Sequence, residues 1–228
     1  MRSICAFLTI STFLLHAQTS TSSTPELRRN EVSNLAVESF FNTRSSGSII
    51  LTGSCGNPYG QVVTGTVTIP NPTAFMRIDD DLDNLSRVTS HYGWSRKKDG
   101  LVKFTDDRAS AEFLKLRLGQ VRLTKIVNLE DAVNQLLRMP QVTHFLEQHR
   151  IDLEPVFTGA TIWNQKAIEQ LSNSPRAPKY ALTLDDVTVE EALDRIVRTF
   201  PGVWVYSECL GRITLTSDPV GSPRPAKK

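Results

Sequence analysis

The chain has 228 residues, of which 39% are hydrophobic and 22% charged, with a formal net charge of +2. That composition fits a folded globular protein and speaks against a disordered one. The length allows two small domains or one with extensions. The balanced charge lacks the basic bias, interleaved with aromatics, that marks a nucleic-acid binder.

The N-terminus reads as a targeting signal. Arg2 supplies a short positive region, and Ile4 to Leu15 form an apolar core too short to span a bilayer comfortably. Ala17 offers a small residue for cleavage, so residues 1–17 are expected to be a signal peptide. The alternative is an uncleaved anchor. The mature chain would be periplasmic or secreted, and no later segment is long and apolar enough to cross a membrane. Residues 18–25 are a polar Ser/Thr lead-in.

Residues 26–43 place Val32, Leu35, Ala36, Ser39 and Phe40 at helical spacing. Ile49 to Leu51 form a short apolar strand, ending at Gly53-Ser54-Cys55-Gly56. Asn57 to Gly60 predict a turn, and Gln61 to Ile69 a β-branched strand. Asp79-Asp80-Asp81 open a helix with Leu82, Leu85, Val88 and Tyr92 inward, stopped at Gly93. Trp94 to Arg96 and Leu101 to Phe104 predict a hairpin around Lys98-Asp99-Gly100.

From Ala111 the pattern changes. Phe113 to Leu123 alternates, with Leu114, Leu116 and Leu118 opposite Lys115 and Arg117, which predicts a half-buried strand. Asn128 caps a helix with Leu129, Ala132, Val133, Leu136 and Leu137 inward. Pro140 breaks it, and Val142, Phe145 and Leu146 predict a further short helix. Ile151 to Thr161 fits neither pattern, Trp163 to Leu171 a short helix, and residues 172–178 a loop.

Tyr180 to Thr216 is the clearest unit: strand, helix, strand, turn, strand. Val189, Ala192, Leu193, Ile196, Val197 and Phe200 form one amphipathic stripe. Thr188 and Glu191 make a capping box, and Pro201-Gly202 end the helix. Strands over Val203 to Ser207 and Arg212 to Thr216 flank a turn near Gly211. Laid on this unit, Leu85 matches Leu193, Val88 matches Ile196 and Tyr92 matches Phe200. Residues 219–228 are a basic, Pro-rich tail, expected to be disordered.

Export would leave Cys55 and Cys209, which follow the similar runs SIILTGSC and VWVYSEC. An oxidising compartment permits a disulfide between them; two separate, partly buried thiols are the alternative. Neither belongs to a metal-binding spacing. The acidic run at Asp79 is no EF-hand, because Asn84 and Ser90 occupy the positions that need glycine and glutamate. His144 and His149 are five apart and do not share a helix face as a zinc pair would, and His91 lies near a helix end; all three read as structural or solvent-facing. Trp94, Trp163 and Trp204 read as core residues. Arg96-Lys97-Lys98 at the hairpin tip is the one compact basic cluster. It is a candidate contact for an acidic partner or an anionic envelope polymer, or else a solvated turn.

The first half resembles a secretin and TonB short N-terminal domain, the small periplasmic module of bacterial secretins and TonB-dependent transducers. The resemblance lies in an amphipathic helix, then GSIILTGSC, GQVVTGTVTI, DDDLDNLSRVTSHYGW and DGLVKF. LDDVTVEEALDRIVRTFPGVWVYSECLGRITL repeats the closing part. Residues 114–173 match nothing in that family, and the expectation is a free-standing relative with no secretin or TonB-dependent barrel. The resemblance implies no catalytic residue, cofactor or metal.

Together these readings predict an α+β protein of two small modules, residues 26–107 and 108–218, each packing helices on a short mixed β-sheet. The expected function is a non-enzymatic, exported envelope interaction module that binds a protein partner by edge-strand pairing or along its helix–sheet seam. One alternative is an exported hydrolase of envelope polymers with its site in residues 114–173, using Glu147, Asp152 and Glu154 beside His144 or His149. Another is a small-ligand carrier with an apolar pocket between the modules.

Overall fold

The computed structural model describes residues 29–52, 77–88, 91–154 and 179–220. The expected signal peptide, lead-in, strand 61–69, helix 163–171 and the tail beyond residue 220 lie outside the described residues. Helix α1 (Arg29–Asn42) leads into strand β1 (Gly47–Thr52). Helix α2 (Ile78–Val88) leads into the hairpin β2 (Tyr92–Arg96) and β3 (Val102–Asp106). A 3₁₀ turn (Glu112–Lys115) precedes β4 (Arg117–Ile126), then α3 (Leu129–Leu137), α4 (Pro140–Gln148) and β5 (Asp152–Glu154). The chain closes with β6 (Tyr180–Thr188), α5 (Val189–Thr199), β7 (Gly202–Cys209) and β8 (Arg212–Pro219). The class is α+β, as the sequence predicts.

Among the described residues, eight strands make two sheets. One has six strands in the order β2-β3-β1-β7-β8-β5, and the other is the β4-β6 ribbon. The six-stranded sheet carries the same topology twice. In each half a helix leads into a hairpin, and the second hairpin strand lies parallel to an earlier strand: β3 beside β1, and β8 beside β5. The halves do not keep separate sheets. β1 pairs in parallel with β7 from Gly47↔Val203 to Thr52↔Glu208, so one sheet crosses from residues 26–107 into 108–218. An isolated β1 would leave one row of backbone donors and acceptors unmet beside an apolar strand, and β7 satisfies that row.

Both central strands are buried on both faces, which explains their continuous apolar runs. Ile49, Leu51, Val203 and Val205 point into a core with Val32, Ala36 and Phe40 of α1 and Leu82 and Leu85 of α2. Ile50, Trp204 and Tyr206 point the other way, into a core with α3, α5 and the inner face of the β4-β6 ribbon. Helices α3 and α5 thus lie between the large sheet and the ribbon. Each fully buried Val, Leu or Ile contributes about 1.5–3 kcal/mol relative to exposure.

Local chemistry sets the element ends. Thr188 and Glu191 form the predicted capping box on α5, and Asn128 caps α3 by accepting from Asp131 N at 2.8 Å. Pro140 does not only end α3; it starts α4, where its missing N–H costs nothing. The helix expected to reach Tyr92 ends at Val88, and Tyr92 and Gly93 open β2 instead. Tyr92 stacks on Phe104 with ring centroids 5.6 Å apart, a cross-sheet contact that a helix could not offer. The strand expected from Phe113 starts only at Arg117, because Ala111, at φ 49, turns the chain into the 3₁₀ turn that buries Phe113 and Leu114. Gly47 is required by close approach: a Cβ there would lie 1.8 Å from the Val102 carbonyl oxygen.

Candidate functional site

The sequence singles out the basic tip of the β2–β3 hairpin, and the structure divides it. Arg96 donates to Asp79 Oδ1 at 2.5 Å and to the Gly100 carbonyl at 3.2 Å. Lys98 is exposed. Lys97 is drawn inward against α5, so the three side chains do not present one basic surface. Helix α5 offers Glu190, Asp194 and Arg198 at i, i+4 and i+8, a charged stripe facing the hairpin. Lys103 and Lys97 both donate to Glu190 Oε1, at 2.5 and 3.2 Å. Lys97 also bonds Asp194 Oδ2, and Arg198 pairs with Asp99. Asp194 is only 4% exposed, and its Oδ1 accepts from Trp204 Nε1 at 3.1 Å.

Burial holds the Asp194 carboxyl above its ordinary range, with Lys97 and Trp204 pulling the other way. Burial also acts to raise Glu190, but bonds from Lys103 and Lys97 outweigh it and hold that carboxyl below its ordinary range. Burial works against the Lys97 ammonium, yet Asp194 and Glu190 together push its pKa up. This seam is a structural clasp between hairpin and helix. Its charged stripe was in the sequence, beside the apolar one, but only the β2–β3 placement reveals its use.

The hydrolase candidates lie on α4 and β5. Glu147 and His144 are exposed on α4, Asp152 is exposed on β5 with Arg212 Nε at 3.9 Å, and Glu154 pairs by its backbone with Thr214. His149 stacks on Phe145 and bonds its carbonyl at 2.9 Å. His91 lies 3.3 Å from Asp107. Trp204 is a core residue as expected, whereas Trp94 is half-buried and donates to Asp83 at 2.7 Å. Trp163 lies outside the described residues. Among the described residues no cluster of three or more His, Cys, Asp or Glu could hold a metal ion, and no helix is long and apolar enough to cross a membrane.

A cavity of about 450 Å³ opens where the ends of β1 and β7 meet the segment before the 3₁₀ turn, lined by Thr52, Phe113, Ile151, Tyr206, Glu208 and Ile213. The Glu208 carboxylate accepts from Ser110 N, Ser110 Oγ, Ala111 N and Tyr206 OH, the last at 2.9 Å. Burial, then the Glu208 charge, raises the Tyr206 phenol, so it remains a donor. Cys209 at this rim is disulfide-bonded; Cys55 lies outside the described residues. The adjoining hairpin tip is Leu210-Gly211, at φ 47 and 78, with Leu210 94% exposed. A non-glycine residue there costs about 1–2 kcal/mol.

The β4-β6 ribbon offers the longest strand edges. Val189 N donates to the Leu116 carbonyl at 2.9 Å at the start of the ribbon. Gly119 and Asp186, the latter at φ 51, interrupt the ladder, and the alternation shifts by one there: Leu118 before the break and Val121 and Leu123 after it all face the core. Among the described residues no other strand pairs with either ribbon edge. Sequence alternation located β4 but not its outer edge, since pairing order is not local. Compared with known proteins, the chain matches no family model, no curated protein and no solved structure.

Proposed function

We propose that the chain is an exported, non-enzymatic interaction module of the bacterial cell envelope that holds a protein partner. Its sequence resembles the short periplasmic domain of secretins and TonB-dependent transducers, which act by contact with other proteins. The observation that carries this reading is the β4-β6 ribbon, whose two strands turn rows of backbone donors and acceptors outward. Such rows are a ready template for an added strand.

Site-specific photocrosslinking in cells tests it. A photoreactive residue at Gln120 or Thr183 on the ribbon is expected to capture a discrete envelope protein, and one at Gln141 on α4 is not. Absence of ribbon crosslinks, or turnover of envelope polymer by the purified protein that Glu147→Gln abolishes, would overturn the proposal. The cavity beside Phe113 and Ile213 favours a second reading, a carrier of a small apolar ligand. Binding of an apolar fluorescent dye that Ile151→Trp abolishes would support it.

A further inference from the structure

We infer that the tip of the β7–β8 hairpin and the hollow beside it form a self-association face. Its occupant is a second copy of this chain, with Leu210 of each copy entering the hollow of the other. The inference goes beyond the interaction-module reading and does not rest on the ribbon. It starts from a residue that local chemistry does not explain. Cys209 pairs with Arg212, so Leu210 and Gly211 are the two loop residues of a tight hairpin, at φ 47 and 78. Turns with both φ values positive favour Asn, Asp or Gly at the first position. A leucine there is strained by its Cβ, and at 94% exposure burial does not offset the strain. Among the described residues the only other exposed large hydrophobic is Tyr180, whose ring packs edge-on against Phe200 at 5.3 Å. Strain kept at an exposed apolar residue points to a use for it.

The tip is held in place. Cys209 is disulfide-bonded, and β7 and β8 pair without a break from Gly202↔Pro219 to Cys209↔Arg212. Beside it lies the hollow of about 450 Å³. Phe113, Ile151, Tyr206 and Ile213 give it apolar walls, and the Phe113 and Tyr206 rings stack with centroids 6.3 Å apart. Leu210 stands at the rim without filling it. The Glu208 carboxylate in the wall already accepts from Ser110 N, Ser110 Oγ, Ala111 N and Tyr206 OH. Its acceptor sites are taken, so the hollow suits an apolar side chain and not a cationic one.

A second copy supplies that side chain. A knob and a hole side by side on one face are self-complementary under a two-fold rotation, and the contact closes at two copies. The charges at the rim fit the same partner. Arg212 is largely exposed, with Asp152 at 3.9 Å, and Glu112 is equally open beside Lys115. Because both signs are present, a rotated copy can set Arg212 against Glu112. A strongly acidic or basic partner, or an anionic membrane surface, would meet like charge at one or the other.

Sedimentation velocity of the purified protein in non-reducing buffer is expected to show a concentration-dependent monomer–dimer equilibrium and nothing larger. Leu210→Asn eases the turn, so its thermal midpoint should hold or rise while the dimer weakens about tenfold. Loss of the dimer with gain of stability separates docking from folding. Ile151→Trp fills the hollow and should weaken the dimer as much. Mixed together, the two variants should recover a heterodimer weaker than the native dimer, because the hollow of the first receives Leu210 of the second. If Ile151→Trp fails to fold, Leu210→Asn decides alone.

A protein that stays monomeric, a dimer that Leu210→Asn leaves intact, assemblies beyond two copies, or folded variants that do not associate when mixed would overturn the inference. So would an apolar dye that fills the hollow of a protein that remains monomeric, since the occupant would then be a small ligand.

Discussion

Asp194 and Glu190 sit one helical turn apart on α5, share Lys97, and are shifted in opposite directions. For Asp194 the folded-state pKa lies above the unfolded one. Its contribution therefore grows as pH falls through that raised value and is lost as pH rises through it. For Glu190 the folded value is depressed, so its contribution is present above the unfolded pKa and lost as pH falls through the folded one. Asp194→Asn keeps an acceptor for the Trp204 indole and removes a costly buried charge. It is expected to leave stability at pH 7 unchanged or higher. Asp194→Ala strands the indole N–H in the core and should cost about 1–3 kcal/mol. Glu190→Gln should lower stability at pH 7 and abolish the part lost in acid. Urea unfolding of the three variants at pH 7 and at acid pH checks all of this, and a stabilised Asp194→Ala would contradict it.

At the scale of elements, close approach matters as much as propensity. Gly47 opens β1 directly beside Val102 of β3. Gly47→Ala drives a Cβ into a backbone oxygen that cannot yield, so β1 and β3 must separate at a cost of about 1–3 kcal/mol or more. Gly119→Ala, on the open edge of β4, should change stability by only about 0.5 kcal/mol. Denaturant midpoints of the pair decide it, and equal midpoints would show that the β1–β3 approach is not tight.

What could be read from sequence divides along the same line. The box at Thr188, the cap at Asn128 and the stripe on α5 are local, and periodicity alone placed them. The end of α2 and the late start of β4 were misplaced because Tyr92 and Phe113 are held by distant rings, Phe104 for one and Tyr206 for the other. The open edge of β4 and the inward turn of Lys97 depend on which elements meet, and no spacing within the chain encodes that.

For the molecule as a whole, the decisive contact is β1 against β7. The sequence repeats a helix–hairpin unit, and two such units would ordinarily fold as two small domains with a soft boundary. Here the boundary at residues 107 and 108 is crossed by a full ladder from Gly47↔Val203 to Thr52↔Glu208. Neither half keeps its sheet intact without the other. The two cores lie on opposite faces of the same central strands, so loss of β1 or β7 exposes both at once. The Lys97 and Lys103 pairs with α5 add a second tie between the halves. Unfolding should therefore be a single cooperative transition. Trp94 reports on the α1–α2 core and Trp204 on the other. With Trp163 replaced by Phe in both, fluorescence of Trp94→Phe and Trp204→Phe variants, each corrected for its own stability against circular dichroism, should give coincident curves. A tryptophan signal that moves well before the dichroism in either variant would mean that the halves melt separately and that the shared sheet does not couple them.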